Sequence, residues 1–320
     1  MKKKFCIVVG EPNSVNSEII AKSWKKISSY KKKHIFFVGN YDLINKQFRR
    51  IKIKILTNKL NSINDGFSKN KLNILNVPLK FKNPFKVNER ESSRYVLKSL
   101  NMAHNLSIKK EIKGFINCPV DKKSLFKSKN IGVTEYLSKK NKSLGREVML
   151  IYNSKMSVAP VTTHLNIKQI SKNITKNLIQ NKIISLNYFY KKYFKKKPVI
   201  AVLGLNPHNG ESRSDTEEQK VIKPCIKKLR NKNLKIIGPF PADTIFLNKK
   251  KYYFDVIVGM YHDQVLAPFK ALFGLDAINI TLGLSYVRVS PDHGTAKDLI
   301  GLGKADPTSL IKSINFISKI

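Results

Sequence analysis

Short apolar runs recur along the chain, and each stops abruptly at turn-forming or polar residues: "KFCIVVGEPN", "HIFFVGN", "GFINCPVDKK", "MSVAPVTTH", "KPVIAVLGLNPHNGE", "LKIIGPFPADT" and "DVIVGMYHDQ". Near-continuous apolar runs of this length suit strands covered on both faces, as in parallel sheets. Helix-like stretches lie between several of them, notably at 167–186 and 216–230. Strands alternating with helices predict an α/β architecture with a largely parallel sheet. Residues 61–90, rich in Asn, Lys and Pro, read as irregular, and no internal repeat or long linker interrupts the pattern.

At 320 residues the chain is long enough for one large domain or two lobes. No apolar run approaches the ~18–20 residues that a membrane span requires. The start "MKKKFCIVVG" imitates a secretory signal, but its apolar part is short and runs into Glu11-Pro12, so it reads as an opening strand. Cys6, Cys118 and Cys225 fit no metal or disulfide spacing, and an odd count suits a reducing cytosol, which predicts a cytoplasmic protein.

The charge is extreme, with 61 Lys+Arg against 21 Asp+Glu for a net +40. Such a surplus favours phosphate backbones, and a basic nucleic-acid-binding protein is the rival of another class. Against it, the lysines are spread along the whole chain, and no RNA-binding motif, paired-cysteine finger or aromatic-basic stripe accompanies them. Lys, Ile and Asn are all abundant and all have A/T-rich codons, so a base-composition bias with a solvated lysine surface is the preferred reading.

In open α/β sheets, ligands gather beyond the carboxyl ends of the strands. Three of the six histidines directly follow apolar runs: His164 after "SVAPVTT", His208 after "PVIAVLGLNP" and His262 after "DVIVGMY". They are 44 and 54 residues apart, too far for a local metal motif, but three neighbouring strand ends would supply them. One histidine at a strand end is usually structural. Three of them, with Asp243 and Asp263 on similar turns, shift the reading towards an open three-ligand metal site. Lys270, Asn279 and Arg288 add groups suited to an anionic, oxygen-rich ligand, and Arg288 on "LSYVRVS" needs a partner or a ligand. No G-x-G-x-x-G follows any strand, so the usual dinucleotide fingerprint is absent.

Taken together, "VTTHLNI", "GLNPHNGE", "GPFPADTIF", "YHDQVLAPFK", "INITLGLSYVRVSPDHGTA" and "GKADP" resemble the signature blocks of the 4-hydroxythreonine-4-phosphate dehydrogenase family of pyridoxal phosphate biosynthesis. The matches run in order from residue 10 to about 310, and "DHGTAKDLIGLGKADP" is also similar to the adenosine-binding loop of isocitrate and isopropylmalate dehydrogenases. The resemblance implies a single catalytic unit of two intertwined α/β/α lobes, approximately 1–125 plus 265–320 and 126–264, with the active site in a cleft between them. It implies a homodimer with a shared active site. It implies one divalent metal (Zn, Co or Mg) on His164, His208 and His262, and substrate contacts from Thr134, Lys270, Asn279 and Arg288. Lys270, Asp243 and Asp263 are the catalytic candidates: the lysine for reprotonation or anion binding, the aspartates for orienting an imidazole. NAD or NADP is expected at His293, Gly294, Thr295 and Asp306. The implied reaction oxidises the C3 hydroxyl of a phosphorylated hydroxy amino acid and then releases carbon dioxide. Phosphoerythronate or phosphothreonate is the alternative substrate.

The chain departs from the family in places. "NIGVTEYL" has Val133 where the family carries a substrate-contacting histidine. Losing a hydrogen bond to a charged group costs about 1.5–3 kcal/mol. "GEPNSVNSEI" has Asn13, Ser14 and Asn16 where small flexible residues are usual, and "CPVDKK" has Asp121-Lys122 where an Asn- or His-Lys pair is commoner. "NPHNGE" continues into Ser212-Arg213-Ser214-Asp215 rather than a glycine-rich turn. Lys297 and Lys304 near the cofactor loop are candidate cations for a 2′-phosphate.

Overall fold

All seven apolar runs form strands. The computed structural model describes residues 3–126, 132–247 and 253–320. Its strands are, in chain order, β1 (Phe5–Val8), β2 (Ile35–Gly39), β3 (Thr57–Leu60), β4 (Leu72–Asn76), β5 (Gly114–Asn117), β6 (Val148–Tyr152), β7 (Ser157–Pro160), β8 (Ile200–Leu203), β9 (Ile236–Phe240), β10 (Val256–Gly259), β11 (Ile278–Leu282) and β12 (Val287–Pro291). The chain divides into two compact units, Met1–Ile131 with Ser285–Ile320, and Gly132–Leu284. The sequence reading places the return point at 264/265, within the helix His262–Phe273. That helix packs on β7 and β11 pairs with β6, so both stay with the second unit.

The first unit is a parallel sheet in the order β3-β4-β2-β1-β5-β12. Every residue of β1, β2 and β5 is buried, the pattern expected when helices cover both faces. The edge strand β3 (TNKL) instead exposes Lys59, which blunts it against pairing with another chain. Two helices start at asparagine caps. Asn40 Oδ1 accepts from Leu43 N at 2.8 Å before Tyr41–Arg50, and Asn88 Oδ1 accepts from Arg90 N at 2.9 Å before Glu89–Ile108.

The predicted loop 61–90 contains β4, whose Leu72, Ile74 and Leu75 are buried. Its asparagines masked the strand in the sequence. Asn73 is nonetheless buried because its amide is satisfied locally, accepting from Ser68 N at 2.9 Å and Asn58 Nδ2 at 2.9 Å and donating to Ser68 O at 3.0 Å. The predicted helix 167–186 is two helices, Ile167–Asn173 and Lys176–Tyr193. The second starts afresh because Thr175 leaves helical geometry and its Oγ1 accepts from Leu178 N at 3.2 Å.

The second unit is a sheet in the order β11-β6-β7-β10-β8-β9. Strand β6 runs antiparallel to β7 and β11, while β7, β10, β8 and β9 run parallel to one another. Its core joins Ile151, Val158, Leu203, Ile257, Val265 and Phe269, so the helix His262–Phe273 is seated on the strands that precede it. No helix among the described residues is long and apolar enough to cross a membrane.

Candidate active site

Three adjacent parallel strands of the second unit, β7, β10 and β8, end next to one another. Gly259 of β10 pairs with Pro160 of β7, and Val258 pairs with Val202 of β8. Parallel neighbours present their carboxyl ends on one edge of a sheet, and the loops leaving this edge carry His164, His262 and His208. The pairing continues beyond the strands: Val161 N donates to Gly259 O at 2.8 Å, and Thr162 N and Oγ1 both donate to Met260 O, at 3.2 and 2.8 Å. Buried Gln264 joins the third loop, donating through Nε2 to Gly204 O at 2.7 Å while its Oε1 accepts from Met260 N at 2.6 Å. The three histidine-bearing loops are thus stitched together by backbone bonds and one glutamine.

Two of the imidazoles have a carboxylate on Nδ1. His164 Nδ1 lies 3.1 Å from Glu135 Oε1, and His262 Nδ1 lies 2.6 Å from Asp263 Oδ1. A carboxylate only accepts, so Nδ1 carries the proton in each neutral ring and the Nε2 lone pair is left for another partner. Glu135 comes from the first turn of the helix Val133–Lys140, and its Oε2 reaches back to accept from Gly132 N at 2.9 Å. Thr163 Oγ1 donates to Glu135 Oε1 at 3.2 Å. Burial opposes ionisation of Glu135, but the hydrogen bond and charge of His164 and the Gly132 N–H outweigh it and hold its pKa at about 2.

His208 differs. It sits in a left-handed turn, and its imidazole has no hydrogen-bond partner among the described residues. Asp243 is exposed on the turn after β9 and bonds to none of the three rings, so the orienting carboxylates on this edge are Asp263 and Glu135. Glu135 escaped the sequence reading because 29 residues separate it from His164. The capping-box position of a glutamate after Gly132 was the available signal.

The donor set suits a divalent metal: imidazoles at one sheet edge, two of them held through Nδ1 by a carboxylate so that Nε2 is the remaining donor atom. Within one chain they share that edge without being gathered, since no group of three or more His, Cys, Asp and Glu among the described residues is placed to hold a metal.

Thr134, the second residue of the helix Val133–Lys140, is buried with its Oγ1 3.2 Å from Thr281 Oγ1 on β11. Asn279 lies two residues before Thr281 and so shares its face of the strand. The Asn279 Oδ1 is buried without a hydrogen-bond partner, an acceptor placed for a donor that the described residues do not supply. Val133 is 4% exposed and packs as an apolar residue. Lys270 is exposed in the last turn of its helix, eight residues beyond His262. That spacing is about 12 Å along the axis, so within one chain the helix separates the lysine from that imidazole.

The remaining expected residues belong to the first unit. Arg288 on β12 is 3% exposed, and its Nε donates to Asn117 Oδ1 on β5 at 2.6 Å, so the guanidinium is anchored inside the sheet. In the loop that follows, His293 Nδ1 lies 3.0 Å from Gly294 O. A carbonyl only accepts, so Nδ1 carries the proton and Nε2 is a bare acceptor, buried without a partner. Burial holds the His293 pKa below the ordinary histidine range, which keeps the ring neutral. Such an orphaned acceptor fits an amino or hydroxyl donor of a nucleotide. Thr295 O accepts from Val15 N at 3.1 Å, laying this loop against the first glycine-containing loop. Asp306 lies two residues before the last helix, Thr308–Lys319, its Oδ1 accepting from Thr308 N at 2.9 Å and Thr308 Oγ1 at 2.6 Å.

The departures have physical roles. Asn16 Nδ2 donates to Pro119 O at 2.9 Å and Asn13 Nδ2 to Val87 O at 2.9 Å, so side-chain bonds fasten the eroded first loop. Asp121 binds Lys297, Oδ2 to Nζ at 2.6 Å, which engages one of the two candidate 2′-phosphate cations.

Comparison with known proteins gives one family. The family model described as "Pyridoxal phosphate biosynthetic protein PdxA" matches residues 31–317. The chain is 33% identical to the 4-hydroxythreonine-4-phosphate dehydrogenase of Sulfurihydrogenibium sp. over 317 residues, covering 97% of this chain and 96% of that protein. It is 28% identical to the D-threonate 4-phosphate dehydrogenase of Pectobacterium atrosepticum, with both covered over 100% of their length. Among solved structures, the 4-hydroxythreonine-4-phosphate dehydrogenase of Klebsiella pneumoniae superposes with a TM-score of 0.85 at 27% identity, over 99% of each chain. With its α/β fold, its histidine-bearing strand ends and a family match across nearly its full length, the chain belongs to the pyridoxal phosphate biosynthetic protein PdxA family.

Proposed function

We propose that this chain is an NAD(P)-dependent dehydrogenase that oxidises 4-phosphohydroxy-L-threonine at C3 and decarboxylates the product to 3-amino-2-oxopropyl phosphate, a step of pyridoxine and pyridoxal phosphate biosynthesis. The observation that carries this reading is the set of three histidines at the ends of three adjacent parallel strands, two with a carboxylate on Nδ1. His164, His208 and His262 would hold one divalent ion, with Zn, Co and Mg as candidates. When bound, such an ion lowers the pKa of a hydroxyl and polarises a carbonyl beside it. NAD or NADP, held at His293, Gly294, Thr295 and Asp306, would accept the hydride from C3, and the resulting β-keto acid would lose carbon dioxide to an enol reprotonated at carbon.

Glu135 and Asp263 orient His164 and His262 for this role. Asn279 offers its unpartnered Oδ1 to a substrate hydroxyl or amine, and Thr134 borders it through Thr281. Arg288 and Lys270 are the cations suited to phosphate or carboxylate. His293, Gly294, Thr295 and Asp306 form the proposed cofactor loop, with the His293 Nε2 as its open acceptor. A homodimer with a shared site is part of this reading, in which a second copy would complete a donor set that the described residues of one chain do not gather. The exposed Leu165, Ile167, Leu272 and Leu275 beside His164 and Lys270 give such an interface apolar surface. A cytoplasmic setting fits the three free, buried cysteines.

The second reading is a D-threonate 4-phosphate or 4-phosphoerythronate dehydrogenase. Val133 in place of the family histidine favours it, as does the full-length similarity to the Pectobacterium atrosepticum enzyme. Purified protein is given 4-phosphohydroxythreonine, a divalent metal and NAD or NADP while reduced-cofactor absorbance is followed. Turnover abolished by chelator and by His262→Ala supports the first reading. Turnover with phosphothreonate but not phosphohydroxythreonine establishes the second.

A further inference from the structure

The imidazoles of His164 and His262 are each oriented by a carboxylate on the ring, but His208 has no such partner among the described residues. Its direction is set by the backbone. His208, Asn209, Gly210 and Glu211 have φ values of 48°, 58°, 74° and 49°, four consecutive left-handed residues of which three are not glycine. L-residues adopt this region rarely and singly, so such a turn persists only where its surroundings over-determine it.

The surroundings converge on Glu218, which is 0% exposed. Its Oε1 accepts from Leu205 N at 2.6 Å and Asn206 N at 2.8 Å, and its Oε2 accepts from Asn206 Nδ2 at 2.9 Å. These donors are the last residues before Pro207 and the turn. The carboxylate is walled in: a Cβ on Gly204 would lie 3.0 Å from Oε1, and one on Gly210 3.0 Å from Oε2. Glu218 also opens the π-helical turn Glu218–Ile222, a local geometry common at functional sites. On the far side, Asn209 Nδ2 donates to Pro239 O at 3.1 Å and Arg213 N to Gly210 O at 2.9 Å, which closes the turn.

We infer that Glu218 is the positioning residue for His208: its carboxylate fixes the two residues before a strained left-handed turn and so aims an imidazole that no other side chain among the described residues orients. The inference rests on the metal reading of the three histidines. A buried carboxylate on the backbone does for His208 what Glu135 and Asp263 do through the rings of the other two. Glutamine at 218 keeps the volume but replaces one acceptor oxygen by an amino group. That group faces Asn206 Nδ2 or a backbone N–H, donor against donor.

The test uses the full chain, stripped with chelator and titrated with Co(II), read by calorimetric affinity and by the visible absorption of the bound ion. Glu218→Gln is expected to weaken Co(II) binding about tenfold or more and to alter the absorption band. The loss should be non-additive with His208→Ala, since both act through one ligand. Unchanged Co(II) affinity and spectrum in folded Glu218→Gln overturn the inference, and so does a loss additive with His208→Ala. Should Glu218→Gln not fold, Glu218→Asp decides, because it keeps the charge but, one methylene shorter, draws the carboxylate away from the Leu205 and Asn206 N–H groups. A loss of about severalfold supports the inference, and wild-type affinity overturns it. A wild-type protein that takes up no Co(II) overturns the metal reading itself, and this inference with it.

Discussion

Replacing Glu135 by glutamine is expected to destabilise the protein in a pH-dependent way. The carboxylate bonds to His164 Nδ1 at 3.1 Å and to Gly132 N at 2.9 Å, with its side chain 21% exposed. Glutamine can accept one of these bonds but presents an amino group to the other. Losing the helix-start bond costs about 1 kcal/mol, and losing a hydrogen bond to a charged carboxylate about 1.5–3 kcal/mol. The depressed pKa gives a separate measure: a fall from 4.5 to about 2 corresponds to about 3 kcal/mol of stabilisation. The two routes agree on about 2–3 kcal/mol at pH 7. Because the folded-state pKa lies below the unfolded one, this stabilisation is complete above about pH 5 and declines as pH falls towards 2. By pH 3, about 2 kcal/mol of it is gone. Urea unfolding of wild type and Glu135→Gln at pH 7 and pH 3 measures both values. A difference near zero at pH 7, or one equally large at pH 3, refutes the reasoning.

Three further outcomes are expected. Val133→His should improve kcat/KM for 4-phosphohydroxythreonine about ten- to hundredfold if the missing contact limits catalysis, and unchanged kinetics would mean another group fills that role. Ile74→Ala should cost about 2–5 kcal/mol in urea unfolding, because Ile74 is 0% exposed on β4; a change under 1 kcal/mol would show that this segment carries no core. Asp121→Asn releases Lys297 from its carboxylate partner and should lower KM for NADP relative to NAD; an unchanged ratio would place the lysine away from the 2′-phosphate.

Much of the framework was legible because the parallel strands are buried on both faces, and burial on both faces writes a continuous apolar run. His164, His208 and His262 stood out for the same reason: each follows such a run, and β7, β10 and β8 proved to be neighbours. The strand β4 was not legible, since Asn73 looks like a loop residue until its local bonds are seen. The break at Thr175 was hidden because an apolar period continues across it while the capping threonine is small and common.

The fold class, the family and the residue types offered at the candidate site could be read from the amino-acid order, since these depend on residue types and on the local period of burial. Which groups orient those residues depends on long-range contacts. Glu135 lies 29 residues from His164, Gln264 reaches across 60 residues to Gly204, and Glu218 closes on the residues just before Pro207. Hydrogen bonds at 2.6–3.1 Å are short-ranged and directional, and the chain brings their partners together only when the sheet has formed. Sequence spacing records none of that geometry.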